Sequence, residues 1–244
     1  MFYCVIKSEF IKMRRAPVWV AFLALPLLAA VMGTFNYQQN TDALTKEWYS
    51  LWTQHTLFAS FFFMPALIGI QCACQWRFEH MGNNWNGLMA QPVAPWAIVT
   101  GKLAVTALFV LLTQAFTGLL FYVSGKYAGL TGPPPSELVG WLMLGALGGV
   151  AIGAVQLTLS MCLRSFAIPV GIALGGGIVG LGAAHAGFGM YFPYSLLSLG
   201  MNANGMGRLT VMDHVPFVIS CLAFCALASM IGIYRLTKKD VATV

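Results

Sequence analysis

An all-α integral membrane protein with six transmembrane helices is the fold class this sequence predicts, and three observations predict it. Of the 244 residues, 59% are hydrophobic and 8% are charged, whereas a soluble domain carries about 25% charged residues. Six apolar runs, residues 16–36, 56–74, 103–124, 138–163, 166–188 and 215–236, each approach or exceed the roughly 20 residues of helix that cross a bilayer core. The basic residues gather beside those runs. The formal charge of +6 therefore reads as a positive-inside bias and not as a nucleic-acid footprint, and no nucleic-acid partner is expected.

Taken in order, the first element is an N-terminal interfacial helix over residues 1–15. Phe2, Ile6, Phe10 and Met13 recur at helical spacing, with Lys7, Lys12, Arg14 and Arg15 around the other side, so the apolar stripe can lie among acyl chains and the cations among headgroups. A signal peptide is excluded by the length of the following apolar run and by the spans behind it. Pro26 and Pro65 sit inside the first two spans, where neighbouring helices can accommodate them. With the N-terminus inside, one side holds Lys7, Lys12, Arg14, Arg15, Arg77, Lys102, Arg164, Arg235, Lys238 and Lys239. The other holds Lys46, Lys126 and Arg208. Both termini are expected to be cytoplasmic, and the chain 1–244 reads as one transmembrane domain.

The fourth and fifth spans are rich in glycine. Gly145, Gly149 and Gly153 are spaced four apart, as are Gly171 and Gly175, and Gly176 and Gly180, which gives each helix a small-residue stripe for close helix packing. Between the last two spans, Tyr191, Phe192, Pro193 and Tyr194 begin a segment too short to cross and too apolar for an ordinary loop. It is either re-entrant or a plain amphipathic loop, and on the outer side it is a candidate substrate segment.

Several chemistries have no residues to carry them. All seven acidic residues fall in loops or near span ends, so proton coupling through an intramembrane carboxylate is disfavoured. Gly101-Lys102 and Gly125-Lys126 lack the rest of a phosphate loop, and neither a H-E-x-x-H pair nor a G-x-S-x-G elbow occurs. The six cysteines lie in or beside apolar segments, away from a secreted disulfide framework. Cys72-x-Cys74 with His80 is too thin a ligand set for an expected metal site.

The stretch 76–102 is the longest polar interruption on the inner side, and it mixes charge, amides and tryptophans. Gly82-Asn83-Asn84 and Gln91-Pro92-Val93-Ala94-Pro95 frame a short helical candidate. Trp76, Trp85, Leu88 and Met89 are its prospective contact face, with Glu79 and Arg77 orienting it by polar pairing. Such a helix can be received in a partner's groove; the alternative is a solvated loop whose aromatics rest on headgroups.

The pattern Glu79-x-x-x-Asn83-Asn84-Trp85-x-x-Leu88-x-x-x-Pro92-Val93, followed by Lys102-Leu103, resembles the first cytoplasmic loop of ABC-2 type permeases of the lantibiotic-immunity group. The basic N-terminus, the six-span layout and Phe192-Pro193-Tyr194-Ser195 are also similar to that group. The resemblance implies a permease subunit, not itself an enzyme, in a bacterial cytoplasmic membrane. It would export antimicrobial peptides for self-immunity, with a coupling helix between spans 2 and 3 built on Glu79, Asn83, Asn84, Trp85, Leu88 and Pro92. The implied partners are an ABC ATP-binding subunit, in two copies, and a second permease, identical or homologous. This chain would bind no cofactor, ATP and Mg²⁺ residing in the partner. Where the group carries a basic residue soon after the tryptophan, Asn86-Gly87 stands here. Rival readings are another cargo (a lipid, a drug or a copper-related substrate), a membrane enzyme, or a non-transporting structural subunit.

Overall fold

The computed structural model describes residues 2–14, 16–81, 84–205 and 209–238, and its architecture is all-helical. Helix α1 (Phe2–Arg14) precedes α2 (Val18–Gln39). Next come α3 (Glu47–Phe58) and α4 (Met64–His80), then the short α5 (Asn84–Met89), the long α6 (Pro95–Tyr127), α7 (Leu138–Cys162) and α8 (Ala167–His185). A broken stretch of single turns contains α9 (Leu196–Gly200), and α10 (His214–Lys238) ends the described chain. Among the described residues, six helical runs are long and apolar enough to cross a membrane: α2, α3 with α4, α6, α7, α8 and α10.

The second crossing is the axis of the bundle. It runs from Glu47 to His80, longer than the 56–74 apolar run, and 67% of its apolar window is buried against 22% for α8 and for α10. Hydropathy alone clips it because its first turns carry polar side chains that are paired inside the protein. Thr34 Oγ1 lies 3.0 Å from His55 Nε2, Trp52 Nε1 donates to the Met201 carbonyl at 2.9 Å, and Thr56 Oγ1 donates to the Trp52 carbonyl at 2.8 Å. A buried polar group with a partner loses little on leaving water. The third crossing likewise exceeds the 103–124 run, since Pro95 starts α6 at a position where its missing N–H costs nothing.

One π-type turn, Ala59–Phe63, joins α3 to α4. Pro65 cannot donate to the carbonyl four residues back, and wider turns of this kind absorb such a break. The Phe61 carbonyl is met there by Gly177 of α8, where an added Cβ would collide with it.

Glycines set the other close approaches, and they only partly follow the expected stripes. On α7, a Cβ at Gly145, Gly149 or Gly153 would meet Met201 and Gln114, Val110, or Thr106. On α8, Gly171 and Gly175 have nothing within 4 Å, whereas Gly176 faces the Tyr194 ring and Gly180 the Tyr194–Ser195 backbone. Within this chain the α8 glycines in contact are therefore Gly176, Gly177 and Gly180, so of the two rows that spacing offered it is the 176–180 row that packs inside the chain.

The segment before α10 folds back into the bundle. Leu196 to Gly200 are buried, with Leu196 and Leu197 fully so, and they lie along α7. Tyr194 is buried too, its hydroxyl 2.7 Å from the Gln156 amide, whose nitrogen can donate to the Pro169 carbonyl. Of the four residues expected to form a substrate segment, Tyr191 is openly exposed, Phe192 and Pro193 are half-buried, and Tyr194 is an internal strut.

Candidate functional site

Three helices meet at the end of the bundle that carries the N-terminus, and their spacing decides what meets there. On α4, Gln71, Gln75 and Glu79 recur every four residues and so share one face, with Trp76 and His80 on the adjacent row. On α6, Lys102 and Thr106 are likewise one turn apart. On α1, Glu9 and Met13 turn inward, while Phe2, Tyr3, Phe10 and Ile11 are exposed. The helix lies across the start of α6, with Phe2 stacked near Trp96 and Val5 against Gly101.

The meeting point is a buried ion cluster. Lys102 Nζ donates to Glu9 Oε2 at 2.9 Å, to Glu79 Oε1 at 2.8 Å and to the Gln75 carbonyl at 2.9 Å. Those bonds use all the hydrogens an ammonium has. It also lies 4.6 Å from the centre of the Trp76 ring, within cation–π range. Lys12 Nζ adds bonds of 2.7 Å to Glu9 Oε1 and to Glu79 Oε1. Lys102 is wholly inaccessible, and Glu9 and Glu79 nearly so. Two carboxylates against two ammoniums leave the cluster neutral, which is how charge can be buried at all. Burial alone would lower the Lys12 pKa, but the neighbouring Glu9 and Glu79 carboxylates outweigh it and hold the group above its ordinary value.

From this cluster a row of contacts leads to α5. The Trp85 ring stacks on Trp76, with centroids 5.3 Å apart and planes at 17°. Trp85 Nε1 donates to His80 Nδ1 at 3.1 Å, and His80 Nε2 lies 3.0 Å from the Ser160 carbonyl on α7. An imidazole that accepts at Nδ1 and donates at Nε2 is the Nε2–H tautomer. Asn84 Nδ2 donates to the Phe78 carbonyl at 2.7 Å, covering one of the open carbonyls at the end of α4. Trp85 and Asn84 thus fix α5 against the bundle. Asn86, Gly87 and Met89 on α5, with Ala90, Gln91 and Pro92 beyond it, are left exposed.

The sequence-predicted residues divide accordingly. Of the expected contact face, Trp76 and Trp85 are buried inside this chain and Met89 is exposed, and Glu79, expected to orient that face, is buried in the ion cluster. Arg77, expected with Glu79 to orient the short helix, has its guanidinium over the Phe166 ring, 5.5 Å from the centroid. Leu88 is half-buried against the core, Pro92 is exposed, and Asn83 lies outside the described residues, as do Arg15, Arg208 and Lys239. Sequence reasoning missed Glu9, Lys12 and Lys102 as site residues. A signal existed: Glu9 occupies the apolar stripe of α1, in register with Phe2, Ile6 and Met13, where a carboxylate needs a partner. Cys72 sits beside Gln71 Oε1 and the Gly153 carbonyl, at 3.4 and 3.6 Å, while His80 is engaged with Trp85 and Ser160.

The family model described as ABC-2 family transporter protein matches residues 5–180, from the middle of α1 through the ion cluster into α8. The chain belongs to that family. No curated protein matches it. As an ABC-2 permease it is a multi-pass membrane subunit of an ABC transporter, and such subunits work with a separate ATP-binding partner and have no ATPase of their own.

Proposed function

We propose that this ABC-2 permease is the membrane subunit of an exporter that removes lantibiotic or related antimicrobial peptides from a bacterial cytoplasmic membrane. The cargo rests on the resemblance of the stretch 79–93 to lantibiotic-immunity permeases. Two ATP-binding subunits holding ATP and Mg²⁺ would sit at the α1–α5 end, on the cytoplasmic side with both termini, and a second permease, identical or related, would complete the pore.

One observation carries the coupling role of α5. It is clamped on its inner side by Trp76 and His80 and bare on its outer side at Asn86 and Met89, next to Gln91. A push there reaches α4 through the tryptophan stack, α1 and α6 through Glu79 and Lys102, and α7 through His80. The glycine rows of α7 then carry it to α9 at the far end, where substrate would enter from the outer leaflet near Tyr191. The buried row also has something to gain by rearranging. Gln71 Nε2, Gln75 Oε1, Trp76 Nε1 and Glu79 Oε2 have no hydrogen-bond partner among the described residues, each at a cost of about 1–3 kcal/mol.

The test is affinity purification of the tagged permease in mild detergent, with the co-purifying chains identified and ATP hydrolysis measured with and without candidate peptides. An ATP-binding subunit that comes along and is stimulated by peptide supports the reading. Met89→Asp should then lose the subunit at unchanged thermal stability, whereas Trp85→Ala should lower both. A permease whose ATPase partner is indifferent to every peptide but responds to a lipid or a drug overturns the cargo. Retention of the partner by Met89→Asp and Gln91→Ala together overturns α5 as the docking element.

A further inference from the structure

At the end of the bundle away from the ion cluster, a cleft of about 430 Å³ opens between the start of α3, the start of α7 and the turn that follows α9. Its size falls within the range of roughly 300–1,000 Å³ usual for small-ligand sites. Trp52 and Trp141 form one wall, their rings stacked with centroids 5.7 Å apart, and Tyr49 meets Trp141 edge-on at 5.9 Å. Among the described residues Lys46 is the cation of the lining and forms no ion pair. No carboxylate lines the cleft among the described residues. The nearby Glu137 is already engaged, accepting from the Tyr49 hydroxyl and from Ser136, each at 3.0 Å.

Asn202 supplies the deciding detail. Its backbone is left-handed, with φ +48°, and its side-chain Oδ1 is buried without a hydrogen-bond partner on the wall of the cleft. A buried acceptor in this state favours a ligand that brings a donor. A lysine with neither an ion partner nor a lining carboxylate among the described residues favours a negative charge. Stacked tryptophans at the end of a transmembrane bundle lie at the level of lipid headgroups.

We infer that this cleft binds the headgroup of an anionic, hydroxyl-bearing phospholipid, phosphatidylglycerol, from the leaflet opposite the coupling end. The phosphodiester pairs with Lys46, the glycerol hydroxyls donate to Asn202, and the first carbons of the acyl chains lie along Trp141. A choline headgroup fits worse, because its quaternary ammonium meets Lys46 and carries no hydrogen to donate. A polycationic peptide is opposed by the same lysine. The inference goes beyond the transport reading and does not depend on which cargo is moved.

The test is native mass spectrometry of the full-length protein in detergent, titrated with phosphatidylglycerol, phosphatidylcholine and the water-soluble glycerophosphoglycerol. The expected result is one phosphatidylglycerol retained about five-fold or more over phosphatidylcholine, equivalent to about 1 kcal/mol, with the preference shrinking as salt rises. Lys46→Glu, a change at an exposed side chain, and Asn202→Gly, which suits the left-handed backbone, should each bring the two lipids to parity at unchanged melting temperature. Equal retention of both lipids by the unaltered protein overturns the proposal, as does a preference that survives both substitutions. Glycerophosphoglycerol binding as tightly as the lipid would assign the cleft to a soluble phosphodiester instead. Stoichiometric displacement of the lipid by an antimicrobial peptide would assign it to the peptide.

Discussion

Lys102 gives every ammonium hydrogen to Glu9, Glu79 or the Gln75 carbonyl, so removing it leaves two buried carboxylates facing Lys12 alone. Lys102→Met should therefore lower stability by about 3–5 kcal/mol, the usual cost of breaking a buried pair from one side. The double variant Glu79→Gln, Lys102→Met should recover most of that, since Glu9 and Lys12 then remain as a neutral pair. Thermal unfolding in detergent measures both, and a single variant as stable as the parent would remove the cluster's structural importance. Lys12 behaves differently with pH. Its folded-state pKa is raised, so its contribution is full below an unfolded value of about 10.4 and fades as the pH climbs through the higher folded value. The stability gap between the parent and Lys12→Gln should hold steady from about pH 6 to about pH 9 and close only at more alkaline pH. A gap that closes between those values would contradict the pairing. These residues were half legible in the sequence. The stretch around Glu79 stood out by composition, but the ion partners of Glu79 are Lys12 on α1 and Lys102 on α6, 67 and 23 positions away, and nothing in local spacing pairs them.

At the scale of elements, glycine rows decide which helices touch. A Cβ at Gly148 would collide with the Leu196 backbone of α9, and one at Gly200 with the Leu144 backbone of α7, so neither contact can yield by a rotamer change. Gly148→Ala should destabilise by about 1–3 kcal/mol through overpacking. Gly171→Ala meets nothing in this chain and should be neutral or gain up to about 1 kcal/mol from helix propensity. Melting temperatures of the two variants, measured side by side, check the contrast; equal losses would mean that the 171–175 row is also a contact, with a second copy of the chain or a related permease. Four-residue spacing revealed that the stripes exist. It could not tell which of two adjacent rows on α8 faces inward, because Gly171–Gly175 and Gly176–Gly180 have the same spacing and differ only in helix rotation. The π-type turn before Pro65 was foreshadowed by the proline alone; its closeness to Gly177 was not.

Over the whole molecule, six crossings bring α1 and the end of α10 to one face, and the charge bias is the ground on which we propose that this face is cytoplasmic. Cys4 and Cys162 are both exposed near it. A membrane-impermeant maleimide added to intact cells should label neither, while Lys46→Cys at the other end should react; labelling of Cys4 from outside would invert the orientation.

What the sequence by itself determined was the solvent: the apolar runs could be stable only across a bilayer, and their number and the flanking lysines and arginines set the layout. The polar stretch around Trp85 and Pro92 marked the end proposed here for coupling for the same reason, since polar residues in a short loop are visible without knowing the fold. Only the tertiary structure decided which way side chains face. It turned Glu79 and Trp85 inward, left Asn86 and Met89 bare, and closed a neutral ion cluster from three separate helices, because the cost of burying each charge is offset only where its partners converge.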